Sequence, residues 1–468
     1  MAYRYGNREQ VSFLPASIEE YVGANDPVRA YDVFIERLNL QELGIEEDAE
    51  QVGNPEYDPR AMLKLAVYGY SYGERSSRKL ERAIHHNLSF IWLMGGLKPD
   101  HKTIAEFRRK NKKALARVLK QCVRMCLRLD LIEGNTLFVD GTKIRANASM
   151  KHMWNEKRCA EVLKKVDERI EEILSECERI DQKEKHEQSL VELKKELQGK
   201  RALREQVDAI MEDLKKEQRS SVNTVDRDCA STKSTHGSYA GYNAQIAVDE
   251  KHGLIASCDV VSSSVDQGQL SRQVKVAHET LGKDCNRVVS DGGYSDLEDI
   301  SSIGTEVEVL VPLNRQTQEH ADFVYNADSD CYTCPQGYQL IMYRIDKQKK
   351  RKRYRIEKAA LCRQCSRFGQ CCRSNTGRTV GRSFYEETSQ RISENLKRPE
   401  SQAIYKLRAQ KAELPFGHMR RTLGVRAFLL RGLEGVRAEM SLFAAAFNIR
   451  RMITLFGGVQ GFIAAVYA

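Results

Sequence analysis

The chain has 468 residues, enough for two to four domains, because single hydrophobic cores rarely grow beyond about 250–300 residues. Lysine and arginine number 75 against 65 aspartate and glutamate, giving a formal net charge of +10. The positive residues cluster at 107–120, at 346–358 and around HMRR (418–421), which favours a nucleic-acid partner. The N-terminal MAYRYGNREQVSF has no apolar core of signal-peptide length, and no run of eighteen apolar residues occurs, so we expect a cytoplasmic, soluble protein without a membrane partner.

Residues 1–133 are predicted to form a helical domain. Pro27 precedes the amphipathic run VRAYDVFIERLNL, a second helix begins near Pro59, and Ser76 or Ser77 can cap a third. A fourth helix is predicted from Thr103 to Leu129. Short helices joined by turns are compatible with a helix-turn-helix DNA reader and equally with any small helical bundle.

Residues 155–217 carry apolar residues at alternating steps of three and four. The pattern runs through Cys159, Leu163, Val166, Ile170, Ile173, Cys177 and Ile180, breaks at 181–188, and resumes at Leu190, Leu193, Leu197, Leu203, Val207, Ile210 and Leu214. Two antiparallel helices packed along these stripes are the simplest interpretation. An intermolecular coiled coil that drives dimerisation is the alternative.

Strand patterns surround this helical segment. NTLFVD (135–140), GYNAQIAVD (241–249) and GLIASCDVV (253–261) predict strands, the last two as a hairpin. A helix at 264–282, a strand at 287–294, a short helix at 296–304 and a strand at 306–314 follow. The order β-β-β-α-β-α fits a ribonuclease H-like fold, whose mixed sheet carries acidic residues on adjacent central strands. We therefore expect a multidomain α+β protein with such a catalytic core.

Three acidic residues are candidates for catalysis. Asp140 and Asp291 each follow a short β-rich apolar run and precede glycine, so each is expected at the end of a buried strand. Glu413 lies far downstream in the basic, helix-favouring stretch IYKLRAQKAELPFGHMRR. Three carboxylates brought together can hold two divalent cations, the usual apparatus for in-line attack on a phosphodiester.

Other acids compete for these roles. An Asp-Gly pair more often forms a turn or a helix cap. Asp249, in the turn of the hairpin, is expected to be structural, Asp259 is a further competitor, and Asp266 is expected to cap the following helix. Glu434 and Glu439 rival Glu413, but RGLEGVRAEMSL is typical of an amphipathic helix in which arginines pair with the acids.

Six of the thirteen cysteines fall between Cys331 and Cys372, and disulfides are uncommon in a cytoplasmic protein. One possible zinc site uses the C-x-x-C pairs Cys331/Cys334 and Cys362/Cys365 as a zinc ribbon. The competing set, which we favour, is Cys334, Cys362, Cys365 and Cys371, with Cys372 as a substitute for Cys371. Four thiolates leave no open position, so such a zinc ion is structural. The basic run between the pairs is expected to form a loop suited to phosphate contact.

Several stretches, in the same order, resemble the DDE transposases of bacterial insertion sequences, in the group with a Tyr-Arg-Glu-Lys signature around the third acid. They are PVRAYDVFIERL, GNPEYDPRAMLKLAVYGYSYGERSSRKLERA, FVDGTKIRANAS with Asp140, GYNAQIAVD, VVSDGGYSD with Asp291, CPQGYQL, and YKLRAQKAELPFGHMRRTLG. The last carries Tyr405, Arg408, Glu413 and, where the family usually has lysine, Arg420.

The resemblance implies cleavage and strand transfer at the inverted-repeat ends of an element. It also implies two Mg²⁺ or Mn²⁺ ions, double-stranded DNA as both element end and target, and nucleoid association. We expect Asp140 to bridge the metals, with Asp291 and Glu413 each holding one, and a homodimer or higher oligomer on DNA. The alternative is an inactive or domesticated DNA-binding protein. Expected DNA contacts are Lys143, Arg145, Tyr405, Arg408 and Arg420, with Arg408 and Arg420 flanking Glu413 on one helix face.

The expected domains follow from these patterns. They are an N-terminal DNA-binding domain (1–133), a catalytic core (134–154 and 218–330), an inserted helical hairpin (155–217), a cysteine-rich zinc insertion (331–380) and a C-terminal part of the core (381–468).

Overall fold

The computed structural model describes residues 17–46, 56–181, 187–217, 219–235, 237–313 and 322–468. The side chains of residues 180–190, which include the predicted polar break and Leu190, lie outside the described residues. The chain forms two compact units: the first contains the described parts of Met1–Asp266, Lys275–Asp284 and Ala409–Ala468, and the second contains Gln267–Val274 and the described part of Cys285–Arg408. Helices and sheets are mixed along the chain, as the α+β prediction requires.

Seven helices open the first unit. They are α1 Pro27–Glu36, α2 Leu40–Leu43, α3 Pro59–Tyr72, α4 Ser77–His86, α5 Leu88–Leu93, α6 His101–Lys110 and α7 Lys112–Arg128. The predicted starts at Pro27 and Pro59 are confirmed: each proline follows an aspartate, Asp26 or Asp58, whose carboxylate accepts hydrogen bonds from the first turn. The predicted single helix from Thr103 to Leu129 is wrong. It is divided at Asn111, whose side-chain amide donates to the Phe107 carbonyl and ends α6.

The chain then enters the sheet and the helical insertion. The elements are β1 Thr136–Arg145, β2 Met153–Trp154, α8 Glu156–Asp181, α9 Glu187–Lys216, β3 Val222–Asn223, β4 Ala230–Ser234, β5 Gly237–Asp249, β6 Ile255–Val261 and α10 Leu270–Leu281. Strand β5 pairs antiparallel with β1, β4 and β6. The predicted hairpin GYNAQIAVD–GLIASCDVV is therefore confirmed.

The predicted helical hairpin is also confirmed. Arg169 on α8 pairs with Glu196 on α9 at 3.0 Å, and Arg204 on α9 pairs with Asp167 on α8 at 2.7 Å, so the two helices run antiparallel. Cys159 lies in one small core with Val207, Leu214 and Val222. Strands β2 and β3 pair at the base, so the insertion leaves and re-enters the unit at one point.

The second unit holds the remaining strands. Its elements are β7 Arg287–Val289, α11 Leu297–Ser301, β8 Glu308–Leu310, β9 Val324–Asn326, β10 Cys331–Thr333, β11 Gln339–Asp346, β12 Arg351–Ile356, α12 Ala359–Arg363, β13 Thr379–Ser383, α13 Glu386–Lys397 and α14 Pro399–Lys406. Strands β7 and β8 are parallel. Strands β9 to β13 form an antiparallel sheet in chain order around Tyr332, Leu340, Tyr354, Ile356 and Val380.

This sheet corrects one expectation. The basic run at 346–358 is not a loop, because Arg351–Ile356 is strand β12, which pairs with β11 on one side and β13 on the other. Tyr354 and Ile356 alternate inward along β12 and are almost completely buried, while Arg355 between them is exposed. The apolar pair anchors a strand that is otherwise basic.

Three helices return to the first unit: α15 Arg408–Arg421, α16 Gly432–Leu455 and α17 Val459–Tyr467. Helix α16 is apolar on most faces and packs against α3, α7 and β6. The backbone amide of Leu119 on α7 donates to the Ser441 hydroxyl at 3.0 Å, so the N-terminal helices share a core with α16. No single helix in the described part of the chain is long and apolar enough to cross a membrane; α16 and α17 pass that test only as a pair bent by 99°.

Glu439 on α16 is completely buried. Its carboxylate accepts the backbone amides of Leu429 and Leu430 at 2.8 and 2.9 Å and pairs with Arg75 at 3.3 Å. Arg75 also donates to the Ala427 carbonyl at 2.8 Å, so the pair fixes the segment before α16. Glu439 thus has an arginine partner, but this is Arg75, between α3 and α4, and not an arginine of the RGLEGVRAEMSL stretch from which the pairing was predicted. Burial raises the pKa of its carboxyl, and the two amides and Arg75 only partly offset this.

Because the folded protein holds the Glu439 proton more tightly than the unfolded chain, ionising this group as the pH rises above about 4.5 costs stability. Glu439→Gln keeps an acceptor for the two amides but has no proton to lose. The variant should therefore gain stability relative to the wild type as the pH rises from about 4.5, measured by urea unfolding over a pH series. Glu434→Gln, exposed on the same helix, is the control. A Glu439→Gln difference that is constant with pH would contradict the assignment.

Candidate active site

Asp140 lies in the middle of β1. The expectation that the strand ends at Asp140 is wrong, because β5 is long enough to pair with β1 as far as Arg145, opposite Gly241. The residues before Asp140 are fully buried, and Asp140 to Lys143 are half-buried. Asp140 thus stands where β1 leaves the core, and its carboxylate accepts the backbone amide of Gly141 at 2.9 Å.

Helix α15 is anchored to this part of the sheet at two points. Near its start, the Lys411 ammonium donates to the carbonyl of Glu250, a residue whose own amide bonds to Thr136 at the beginning of β1. Near its end, the Arg420 guanidinium donates to the Thr142 hydroxyl. Arg420 brings the end of α15 to the part of β1 that carries Asp140, whereas Lys411, nine residues earlier and on the opposite face of the helix, reaches the residue after β5.

Glu413 lies between these anchors. It precedes Arg420 by seven residues, two helical turns, so the two side chains share one face of α15. Thr142, the partner of Arg420, shares one face of β1 with Asp140, because alternate residues of a strand point the same way. Glu413 thus lies two helical turns before the point where α15 contacts the face of β1 that carries Asp140. Glu413 is exposed and Asp140 is half-buried.

The other signature residues are placed differently. Arg408 precedes Glu413 by five residues, which is about 140° around the helix, so the expectation that Arg408 and Arg420 flank Glu413 on one face is wrong for Arg408. Tyr405 lies on α14 and not on α15. Tyr405 and Arg408 are half-buried residues of the second unit, whereas Glu413 and Arg420 are exposed residues of the first.

Asp291 belongs to the second unit and follows β7 after one residue, Ser290. Its carboxylate accepts the Gly293 amide at 2.8 Å and caps a short 3-10 helix, Gly292–Tyr294, so the prediction that the strand continues to residue 294 is wrong. A Cβ at Gly292 would lie 3.4 Å from the Pro312 carbonyl oxygen, an ordinary van der Waals distance. Asp291 is half-buried.

Asp266 is a polar centre that the sequence patterns misassigned. Its carboxylate accepts the Lys143 ammonium at 2.8 and 2.9 Å and the side-chain amides of Asn243 and Gln245, each at 2.8 Å. Lys143 lies three residues from Asp140, hence on the opposite face of β1. The ammonium expected to approach DNA is therefore bound to Asp266. Asn243 and Gln245, polar at alternate positions of an apolar strand, were the signal for a buried partner.

The predicted cap role of Asp266 is wrong for a simple reason. The first amide of α10, at Leu270, donates to Asp299 at 2.7 Å, so another carboxylate satisfies the helix start. Asp249 is structural, as predicted: it is buried and accepts the amides of Gly134 and Lys251 at 2.6 and 3.0 Å. Asp259 pairs with Arg437 at 2.8 Å.

Arg145 stands at the exposed end of β1. Its guanidinium lies 4.9 Å from the ring centroid of Tyr239, in a cation–π contact. Phe428 donates its backbone amide to the Arg145 carbonyl at 2.9 Å, which ties the segment before α16 to the end of the strand.

All thirteen cysteines are free. Four of them, Cys334, Cys362, Cys365 and Cys371, line one small cavity of about 30 Å³ in the second unit, together with apolar residues and Arg378. Burial raises the pKa of the Cys362 thiol, the Arg378 backbone amide offsets this in part, and the neighbouring thiols Cys372, Cys334 and Cys371 raise the pKa further.

Cys331 is buried on β10, where its sulfur lies 3.1 Å from the Ser329 hydroxyl, and it does not line this cavity. No three histidine, cysteine, aspartate or glutamate side chains within the described ranges are grouped so that they could hold a metal ion. The four cysteines of the favoured set therefore line one cavity, but their side chains are not grouped as the ligands of a metal ion.

Two stretches of the chain match families of known proteins. Residues 333–453, which include the cysteines of this cavity and Glu413, match a family model described as "Transposase DDE domain". Residues 16–110, which include α1 and α3 to α6, match one described as "Transposase domain (DUF772)". The chain is therefore similar to transposases over these two stretches. Neither a search of curated proteins nor one of solved structures found a match.

Asp266→Ala should lower the free energy of unfolding by about 2–4 kcal/mol, because it leaves a half-buried ammonium and two buried amides without their acceptor. Asp208→Ala, which removes an exposed carboxylate with an i,i+4 arginine partner, should cost about 0.5 kcal/mol or less. Chemical denaturation of the full chain measures both values. Equal losses in the two variants would show that Asp266 has no special structural role.

Proposed function

We propose that this protein is an active insertion-sequence transposase that cleaves DNA at the element's inverted-repeat ends and joins the ends to target DNA, with Asp140, Asp291 and Glu413 as its catalytic acids. The observation that supports the proposal is the bond of Arg420 to Thr142, which joins α15, two turns after Glu413, to the face of β1 that carries Asp140. The two transposase-family matches support the same conclusion from opposite ends of the chain.

The order of elements supports a ribonuclease H-like core. Strands β1, β5 and β6 are antiparallel neighbours in the first unit. Helix α10, β7, α11 and β8 follow in the chain, and β7 and β8 are parallel in the second unit. Three antiparallel strands followed by alternating helices and parallel strands are the order predicted for that fold.

The acids fit the needs of hard divalent cations. Magnesium prefers carboxylate oxygens and keeps several waters, so exposed and half-buried carboxylates suit it better than a closed cage. Asp140, Asp291 and Glu413 would hold two Mg²⁺ or Mn²⁺ ions. When bound, such a pair activates the attacking water or 3′-hydroxyl and stabilises the leaving oxygen.

The chain's own residues prepare this site. Arg420, bound to Thr142, holds α15 so that Glu413 stays beside β1, and its remaining guanidinium donors are exposed to a DNA phosphate. Arg145, Tyr405 and Arg408 remain proposed DNA contacts. For Lys143 we propose instead a positioning role, because its ammonium holds Asp266 on the other face of β1.

The N-terminal helices are proposed to read the element ends, since a catalytic core that accepts many targets cannot itself be strictly sequence-specific. These helices share a core with α16, so their role is best tested in the full chain. We propose that the full chain acts as a homodimer or higher oligomer on DNA.

Asp140→Asn, Asp291→Asn and Glu413→Gln should each lower strand cleavage by at least about a hundredfold, because metal ligands act in the transition state more than in docking. Binding to element-end DNA should stay within about threefold of the wild type. A cleavage assay with Mg²⁺ or Mn²⁺ and a gel-shift assay on the same preparations measure both.

Glu434→Gln is the matched control for Glu413→Gln, because both glutamates are exposed on helices of the first unit. It should cleave like the wild type. Full activity of any acid variant would remove that residue from the site. Specific binding by a wild-type protein that does not cleave under any metal condition would favour the domesticated, inactive copy.

We also propose a structural zinc ion held by Cys334, Cys362, Cys365 and Cys371. Supporting it, these four thiols line the same small cavity, roughly the room of one water molecule, and four sulfurs are a complete ligand set for zinc. Cys331 is the less suitable candidate, because its side chain lies outside the cavity lining and contacts Ser329.

Protein purified under reducing conditions should contain one zinc ion per chain by elemental analysis. Cys362→Ser and Cys371→Ser should lose it and lower the thermal stability of the chain. Cys331→Ser should keep the metal, as should the control Cys177→Ser on α8. Loss of zinc with Cys331→Ser, but not with Cys371→Ser, would instead establish the two C-x-x-C pairs as the ligands. Metal-free wild-type protein would contradict the proposal.

A further inference from the structure

Strand β11 exposes an apolar row at an open edge of the second-unit sheet. Ile341, Met342, Tyr343 and Ile345 keep between 39% and 47% of their surface accessible, whereas Leu340 is completely buried. The neighbouring strand β10 pairs with β11 only as far as Ile341, so within the described residues the remainder of β11 is paired on one side, with β12. A protruding edge of this length with exposed apolar residues marks an interaction surface.

Basic side chains surround this row. Strand β12 sets Arg355 opposite Ile341 and Lys352 opposite Ile345, and the guanidinium of Arg355 lies 4.9 Å from the ring centroid of Tyr343. Arg344 interrupts the row, and Lys347 and Lys349 are exposed in the turn. Between 344 and 355 the ribbon carries eight lysines and arginines and a single acid, Asp346.

The positive charge of the β11–β12 strands distinguishes between the partners that could bind this edge. A second copy pairing through the same edge would bring two strongly basic ribbons together, and like charges across paired strands are destabilising. A polyanion gains from the same charge. Phosphate binding alone does not require exposed apolar and aromatic side chains. These side chains suit contacts with sugars and base edges in a groove.

We propose that the β11–β12 ribbon, residues 339–356, is a DNA-binding element that lies in a groove of the duplex. Arg344, Lys347 and Lys349 contact phosphates, while Tyr343 and Ile345 contact sugars and base edges. The inference rests on the proposed function, since it takes the transposase's own DNA as the ligand, and it adds a binding surface outside both the acidic site and the N-terminal helices.

The test compares full-length variants for binding to a short mixed-sequence duplex over a salt series. The phosphate variant is Arg344→Gln/Lys347→Gln/Lys349→Gln. It should bind at least about tenfold more weakly, and the slope of log K against log salt should become shallower by about 2–3, since each lost phosphate contact removes about 0.9. The apolar variant, Tyr343→Ser/Ile345→Thr, should weaken binding several-fold and leave the slope unchanged.

The control removes the same charge elsewhere. Lys157, Lys164 and Lys215 are exposed on α8 and α9 of the first unit, and their triple change to glutamine alters the net charge by the same amount. Equal effects of the two triple variants would overturn the proposal, because the effect would then be one of overall charge. Unchanged binding by the apolar variant would overturn the groove contact. Wild-type protein that binds no duplex would overturn the proposed function itself, a result distinct from failure of the ribbon alone.

Discussion

The first unit depends on the burial of α16. A helix that is apolar on most faces must be surrounded, and α16 is surrounded by α3, α7 and β6. Its few buried polar groups are all used in this packing: Asn448 bonds to both the amide and the carbonyl of Ile255 on β6, at 2.8 and 2.9 Å, and Ser441 accepts the Leu119 amide of α7. The N-terminal helices and the sheet therefore form one body because they pack on the same C-terminal helix.

This packing also determines what α15 can do. The segment between α15 and α16 is fixed by Glu439 and Arg75 at one side and by the backbone contact of Phe428 with Arg145 at the other. The Arg420–Thr142 bond adds a second contact between this C-terminal part of the chain and β1.

The second unit carries many like charges, and its fold must stabilise the strands that bear them. Its core is small and aromatic, with Tyr332, Tyr354 and Tyr325 in mutual ring contacts of 5.1 to 6.2 Å. Asp330 accepts hydrogen bonds from Tyr354 and Lys352, and these bonds lower the pKa of its carboxyl to about 2. The ionised Asp330 carboxylate, just before β10, thereby compensates part of the positive charge that β12 carries.

The sequence by itself determined the elements in which apolar side chains recur at a clear helical or strand spacing. Helices starting at Pro27 and Pro59, the α8–α9 hairpin, the β5–β6 hairpin and the strand before Asp291 follow from local patterns, because proline, capping residues and apolar repeats act within a few residues. The cysteine set that lines the cavity was also the one favoured from the sequence. The order of the chain's motifs also resembles that of the insertion-sequence transposases.

Only the tertiary structure decided the rest, because it depends on partners far away in the chain. The length of β1 beyond Asp140 is set by its pairing with β5, about a hundred residues later. Asp266 does not cap α10, because its carboxylate binds Lys143 and the side-chain amides of two β5 residues. The basic run at 346–358 became a strand because β11 and β13 both pair with it. The contact of α15 with β1 is made by Arg420 and Thr142, 278 residues apart, since local pattern alone cannot specify which surfaces of a helix and a strand will meet.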